Sequence, residues 1–159
     1  ATVLANSDNF GAEVLGKGLA WNAGDLPATI AAGAREAIAY AASRGVEIRA
    51  VDSSGLSNEN RMTTSGLVRL LGDAERQSWG TSLLLGLPDG GEGTLKYRLR
   101  DLDLHAKTGT ISSVSSLAGW VWSERRGVWL EFAILSQGLS KSTAVSLEDE
   151  IVRILATEA

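Results

Sequence analysis

Apolar residues recur along the chain with two periods, helical in some stretches and alternating in others, and the order of the two patterns divides the sequence. Phe10, Val14 and Leu15 fall at helical spacing behind Asn6, Ser7 and Asp8, which are good capping types, so a helix is predicted from Ser7 or Asp8 to Ala20. Gly11, Gly16 and Gly18 each cost such a helix about 1 kcal/mol relative to alanine, which implies close approach to another backbone. Asn22 to Pro27 reads as a turn and Ala28 to Ser43 as a helix stopped by Arg44-Gly45. Val46 to Val51 reads as a short strand. Asp52 to Arg61 then forms a polar loop in which Leu56 looks buried. Thr63 or Thr64 caps a helix to Ala74. An apolar patch from Leu83 gives way to a loop at Pro88-Asp89-Gly90-Gly91, and Leu95 to Leu104 holds a short helical turn.

The sheet signal lies in the last third. His105 to Ile111, Leu117 to Ser123 and Val128 to Leu135 are strand candidates, the last two joined by Glu124-Arg125-Arg126-Gly127, a loop of hairpin length. Short links between consecutive strands imply an antiparallel meander. Lys141 to Leu155 closes the chain as an amphipathic helix able to lie on that sheet through Val145, Ile151, Val152 and Leu155. Trp120, Trp122 and Trp129 belong to sheet packing, whereas the pattern does not place Trp21 or Trp79.

Composition narrows the functions such a domain can have. With 159 residues, 44% of them apolar and 21% charged, the chain can bury one proper core. Net charge is −4 without a basic run, so nucleic acid is not an expected partner. No apolar run reaches membrane-spanning length, and a soluble chain is expected. The absence of cysteine excludes disulfides, thiolate metal sites and cysteine nucleophiles, and is compatible with life outside the cytoplasm. His105, the one histidine, leaves too few nitrogen ligands for a histidine-based metal centre, and no cofactor is called for.

Two constellations carry candidate chemistry. Lys107-Thr108-Gly109-Thr110 puts an ammonium, hydroxyls and a missing side chain on one strand, a combination suited to holding a carboxylate against a sheet edge. Ser7-Asp8-Asn9 offers a proton-relaying hydroxyl and a carbonyl-binding amide at a helix start. Each alone has a plainer reading: Ser7 as a helix cap with Asn9 exposed, and Lys107 as a solvated strand lysine. Their order, with a polar loop and a helix between them, is what turns two weak signals into one.

Together with DSSGLSNENRMT at 52 to 63 and LPDGGEGTL at 87 to 95, the stretches NSDNFGAEVLGKGLA at 6 to 20 and HAKTGTISSVSSLAGWV at 105 to 121 resemble the C-terminal part of class C low-molecular-mass penicillin-binding proteins, the D-alanyl-D-alanine carboxypeptidase/endopeptidase family. The resemblance covers nearly the whole chain. It implies an α/β (α+β) fold of the serine β-lactamase/transpeptidase type, an antiparallel sheet flanked by helices, with residues 1–159 as the C-terminal part of the catalytic domain. One motif is missing: no serine has a lysine three positions later, so the nucleophile of a Ser-x-x-Lys motif must come from a complementary N-terminal segment or chain. Alone, this stretch would form no acyl-enzyme and would expose apolar surface, and a homo-oligomer stays open.

By resemblance, Ser7 passes a proton to the leaving amine, Asn9 binds the penultimate carbonyl, and Lys107 supplies positive potential beside Ser7. Thr108 and Thr110 grip the terminal carboxylate of a stem peptide or of a β-lactam, and the Thr110 N–H forms half of an oxyanion hole. Gly109 lets the substrate backbone pair with the strand. Arg61 is a candidate for reading an acidic side chain of the stem peptide, with Ser112 on the same wall, and His105 is a neighbour without a catalytic part. The implied activity is serine-type D-Ala-D-Ala carboxypeptidase, with endopeptidase action as an open addition, in the periplasm, cell envelope or exterior. The competing readings are a non-catalytic peptide-binding fragment and a related serine esterase or β-lactamase.

Overall fold

The computed structural model describes residues 2–159. A short helix α1 (Thr2–Ala5) leads into α2 (Asn9–Ala23), α3 (Ile30–Ser43), α4 (Thr64–Glu75) and α5 (Gly80–Leu84). A single 3₁₀ turn (Gly93–Leu95) precedes strands β1 (Leu104–Ile111), β2 (Val114–Ser123) and β3 (Val128–Gln137), and α6 (Lys141–Thr157) ends the chain. The caps are local and of the expected kinds: Asp8, Thr29, Thr63 and Ser140 each accept from a backbone N–H in the first turn of α2, α3, α4 and α6.

The strands form the predicted antiparallel meander in the order β1-β2-β3, with Thr108 opposite Leu117 and Leu117 opposite Ile134. Opposite residues share a face. One face presents Leu104, Ala106, Leu117, Val121 and Phe132, which bury against Val152 and Ala156 of α6 and against Leu95 and Leu99 before the sheet. The same face contains a charged cluster. Glu148 of α6, 1% exposed, accepts from Ser115 Oγ at 2.7 Å and from Arg98 Nη2 at 2.8 Å, so the buried carboxylate is compensated on both oxygens. Asp149 holds the other side of the same guanidinium, and these two carboxylates raise the Arg98 pKa above its ordinary value although burial opposes them.

The other face carries His105, Lys107 and Trp120 and is covered in part by α4, where a Cβ on Gly72 would lie 2.9 Å from Glu131 Oε1 of β3. Trp122 and Trp129 meet edge to face at 5.8 Å, and Trp79 lies 6.5 Å from Tyr40. Helices α2 and α3 pack as a hairpin so tightly that a Cβ on Gly33 would come within 2.6 Å of the Gly16 backbone. The close approach expected of the α2 glycines is thus made by Gly16, whereas Gly18 has open space around it.

Several expectations need correction. Residues 46–51 form no strand; the segment contributes a single bridge, Arg49 to Arg61, because its partner is a loop and not a neighbouring strand. Leu56 is 55% exposed. Helix α2 runs on through Asn22 and stops where Gly24 takes a left-handed conformation. The apolar residues near Leu83 include a short helix that the pattern did not reveal.

Candidate active site

Ser7 sits in the junction between α1 and α2, at φ +54°, a left-handed conformation that serine rarely adopts. The junction is held by Asp8 N–H donating to Val3 O at 2.9 Å, and Asp8 Oδ1 caps α2 by accepting from Gly11 N at 3.0 Å. Because Asp8 does the capping, the Ser7 hydroxyl is left free. It accepts a hydrogen bond of 2.8 Å from Lys107 Nζ on β1, so residues 100 positions apart meet. Asn9 opens α2 next to this pair, exposed and without a side-chain hydrogen bond among the described residues.

The Lys107 ammonium also donates to Thr108 O at 2.6 Å, and no carboxylate lies within ion-pair distance of it among the described residues. Burial therefore pushes its pKa below the usual lysine value. A half-buried cation lacking a counter-ion is a site prepared for an anion, since an entering carboxylate recovers the Coulomb energy that desolvation cost.

The edge of β1 shows where such an anion would lie. Trp122 N–H donates to Asp103 O, which sets the phase of the ladder: odd-numbered β1 residues bond to β2, and even-numbered ones turn their N–H and C=O outward. At Ala106 that outward N–H is taken by Pro88 O at 3.1 Å, and Asp89 bridges to His105. Past Ala106 the covering segment ends, leaving Thr108 and Thr110 with outward backbone groups on an open edge next to Lys107 and Ser7. By strand alternation the Thr108 and Thr110 hydroxyls start from the face opposite Lys107, so the two sets of donors converge only at this edge. A Cβ at Gly109 would lie 2.3 Å from Ser116 Oγ, its partner across the ladder.

Beyond Thr110 lies a cavity of about 830 Å³. One wall is the β1–β2 turn with Ser112, at φ +43°, and the end of β3; the other is the loop from Asp52 to Met62. Asp52 shapes that loop by accepting from Gly55 N, Ser57 N and Asn60 Nδ2, and the Arg49–Arg61 backbone bonds of 2.9 and 2.8 Å close its neck. Arg61 Nη1 spends its hydrogens on Asn58 O and Asn60 O at 2.6 and 2.7 Å. Its Nε and Nη2 donors have no partner among the described residues, so Arg61 both steadies the loop and offers an uncompensated cation to the cavity, whereas Arg49 is paired with Glu59.

His105 shares the face of Lys107. Its Nδ1 lies 2.6 Å from Asp89 Oδ1 without hydrogen-bond geometry, and its ring 5.3 Å from that of Trp129. The segment covering the first half of the β1 edge is held by the backbone contacts of Asp89 with His105 and of Pro88 with Ala106. His105 has no hydrogen bond to Ser7 or Lys107. Sequence patterning missed Glu13, one turn after Asn9, whose Oε1 accepts from Ser53 N at 3.2 Å and Ser54 N at 3.0 Å on the loop. No early signal marked it, because Lys17 stands four positions on, the spacing of an ordinary helical ion pair that would account for the carboxylate. No cluster of residues suited to a metal ion occurs among the described residues, and no helix is long and apolar enough to cross a membrane.

Comparison with known proteins places the sequence and the fold. Residues 1–158 match the sequence profile of the D-Ala-D-Ala carboxypeptidase 3 (S13) family. A D-alanyl-D-alanine carboxypeptidase of Actinomadura sp. is 36% identical over 118 residues, which is 68% of this chain and 22% of that protein. Carboxypeptidase DacB of Mycolicibacterium smegmatis is likewise 36% identical over 118 residues, 65% of this chain and 25% of that one. Among solved structures, penicillin binding protein 4 (dacB) of Haemophilus influenzae, in complex with a β-lactam, superposes with a TM-score of 0.79 at 22% identity over 98% of this chain and 40% of its own. A class A β-lactamase of Bacteroides cellulosilyticus gives a TM-score of 0.61 at 19% identity, covering 78% of this chain and 53% of that one. The chain thus spans about a quarter of the curated relatives it matches.

Proposed function

Because the chain belongs to the D-Ala-D-Ala carboxypeptidase 3 (S13) family, we propose that it is part of a serine-type hydrolase that removes the terminal D-Ala from peptidoglycan stem peptides and is acylated by β-lactams. The observation that carries this reading is the 2.8 Å hydrogen bond between Lys107 and Ser7, beside the open β1 edge. An extended peptide adds to that edge as an antiparallel strand, its C-terminal carboxylate held by Lys107 and the Thr108 and Thr110 hydroxyls, its preceding carbonyl by Asn9.

A serine from the upstream Ser-x-x-Lys segment attacks the scissile carbonyl. The carbon–nitrogen bond to the terminal D-Ala breaks as the carbon–oxygen bond of the acyl-enzyme forms, and the proton given up by the nucleophile reaches the departing nitrogen through Ser7. Water then cleaves the ester. The outward Thr110 N–H is one oxyanion donor, a contribution of about 10²–10³ in kcat. A side chain preceding the D-Ala-D-Ala pair falls into the cavity beyond Thr110, where Arg61 selects an acidic group. Such a substrate places the protein in the cell envelope or outside the cell.

The upstream segment also accounts for the outer surface of α2, where Phe10 is 80% and Trp21 70% exposed. A complementary segment packed there would deliver the nucleophile to Ser7. The experiment is acylation of the full-length protein by a labelled penicillin, followed by release of D-Ala from D-Ala-D-Ala peptides. The parent protein should be labelled and hydrolyse the peptides in preference to simple esters or a chromogenic cephalosporin. Ser7→Ala and Lys107→Ala should each lower the acylation rate by about 10²–10⁴. A labelled parent whose rate is indifferent to both changes would remove Ser7 and Lys107 from the mechanism.

A further inference from the structure

We infer that Glu13 is a positioning residue that sets substrate selectivity, by tying the outer wall of the cavity to the helix that presents Ser7 and Asn9. The inference rests on the carboxypeptidase reading, in which that cavity receives the side chain preceding D-Ala-D-Ala.

The 49–61 loop is closed at its neck by the Arg49–Arg61 backbone pair and shaped from inside by Asp52, but neither contact fixes where the loop stands relative to the sheet. Among the described residues, the only hydrogen bonds that leave it are those from Ser53 N and Ser54 N to Glu13 Oε1, at 3.2 and 3.0 Å. A carboxylate accepting two successive backbone N–H groups makes charge-assisted bonds, roughly twice as strong as neutral ones. The contact is reinforced one turn on, where a Cβ on Gly16 would lie 2.0 Å from Ser53 Oγ, so the loop rests directly on α2.

Asp52, Ser53 and Gly55 of the tethered segment line the cavity, and the facing wall is the β1–β2 turn that follows Thr110. The width between the two walls, and with it the position of Arg61, is therefore set from α2. Glu13 follows Asn9 by one helical turn, about 6 Å along the axis. The residue that holds the wall and those that meet the scissile bond thus move as one body. Every hydrogen bond that the Glu13 carboxylate makes among the described residues goes to the loop, none to its own helix.

The test is a selectivity ratio in the full-length protein. kcat/KM is measured for a D-Ala-D-Ala peptide whose preceding residue carries a long acidic side chain, and for the same peptide with alanine there. Glu13→Ala should lower the ratio of the two by at least about tenfold, since small displacements of a binding wall have large effects on productive geometry. Glu13→Gln, which keeps a neutral acceptor, should lower it by about threefold. A folded Glu13→Ala protein with the parental ratio, whatever its loss on both peptides together, would overturn the inference and leave the carboxypeptidase reading standing. Should Glu13→Ala fail to fold, a parental ratio in Glu13→Gln does the same. A parent that no labelled penicillin acylates removes both.

Discussion

Helices α2 and α6 both carry large apolar residues, yet they use them in opposite ways. Helix α6 puts Ala144, Val152 and Ala156 against the sheet and closes the core with them. Helix α2 buries its small residues, Gly16 and Ala20, against α3 and the 52–54 loop, and leaves Phe10, Val14, Leu15, Leu19 and Trp21 outside. An apolar stripe at helical spacing therefore marks a surface to be covered without saying by what. In α6 the chain's own sheet covers Val152, Ala156 and part of Leu155, whereas Ile151, expected on the sheet from its spacing, stays exposed with Leu147 and Ile154 on the flank of the helix. In α2 the large side chains await another segment, while the glycine side does the positioning on which Ser7, Asn9 and Glu13 depend.

The sharpest way to break this comparison is to remove apolar bulk from each side. Leu117, fully buried between the sheet and α6, should cost about 2–5 kcal/mol when changed to alanine, through lost transfer energy plus the cavity left behind. Phe10→Ala, at a position 80% exposed, should stay within about 0.5 kcal/mol in the chain alone. Chemical denaturation of both variants checks the pair. If Phe10→Ala costs as much as Leu117→Ala, the outer face of α2 is already buried in the isolated chain and the contrast is wrong. A hydrophobic dye gives the complementary view: the isolated chain should bind it strongly, and Phe10→Ser combined with Trp21→Ser should reduce the signal by several-fold.

A smaller effect is expected on the glycine side. Gly33→Ala forces a Cβ to within 2.6 Å of the Gly16 backbone, so the helices must part, at a cost of about 1–3 kcal/mol. Gly18→Ala, with open space around it, should be neutral or stabilising by up to about 1 kcal/mol. Thermal melts of the two, run side by side, separate a glycine kept for contact from one that is not.

The same contrast explains which features the sequence revealed. The β2–β3 hairpin and the pairing of β1 were legible because alternation and short links are local, and the meander follows from them directly. The meeting of Ser7 with Lys107 was legible only through the resemblance, since no periodicity links positions 100 apart. Residues 46–51 alternate like a strand, but strand formation needs a neighbour, and this segment found only the loop residue Arg61. Glu13 stayed hidden because its partners lie 40 and 41 positions away on an irregular loop. The contact of Gly109 with Ser116 Oγ was likewise out of reach of patterning, since it depends on the register of β1 with β2.

The smallest expected effect concerns protons at Lys107. Burial favours the neutral amine, so the folded chain releases this proton at a lower pH than the unfolded chain does. Between the two values the unfolded state binds more protons, and stability accordingly rises as pH is raised through that window, the reverse of a lysine held by an ion pair. A carboxylate in the site acts in the opposite direction, since it favours the ammonium and raises the pKa of the bound form. Affinity for a peptide ending in D-Ala-D-Ala should therefore be level below the free-state pKa of Lys107 and fall as pH rises above it, while Lys107→Met should bind weakly and with no such fall. Titration calorimetry at a series of pH values below the ordinary lysine pKa follows this change of charge. An affinity for the parent that holds level across that range would mean that the lysine charge does not grip the carboxylate, leaving the Thr108 and Thr110 hydroxyls and the open edge of β1 to hold it.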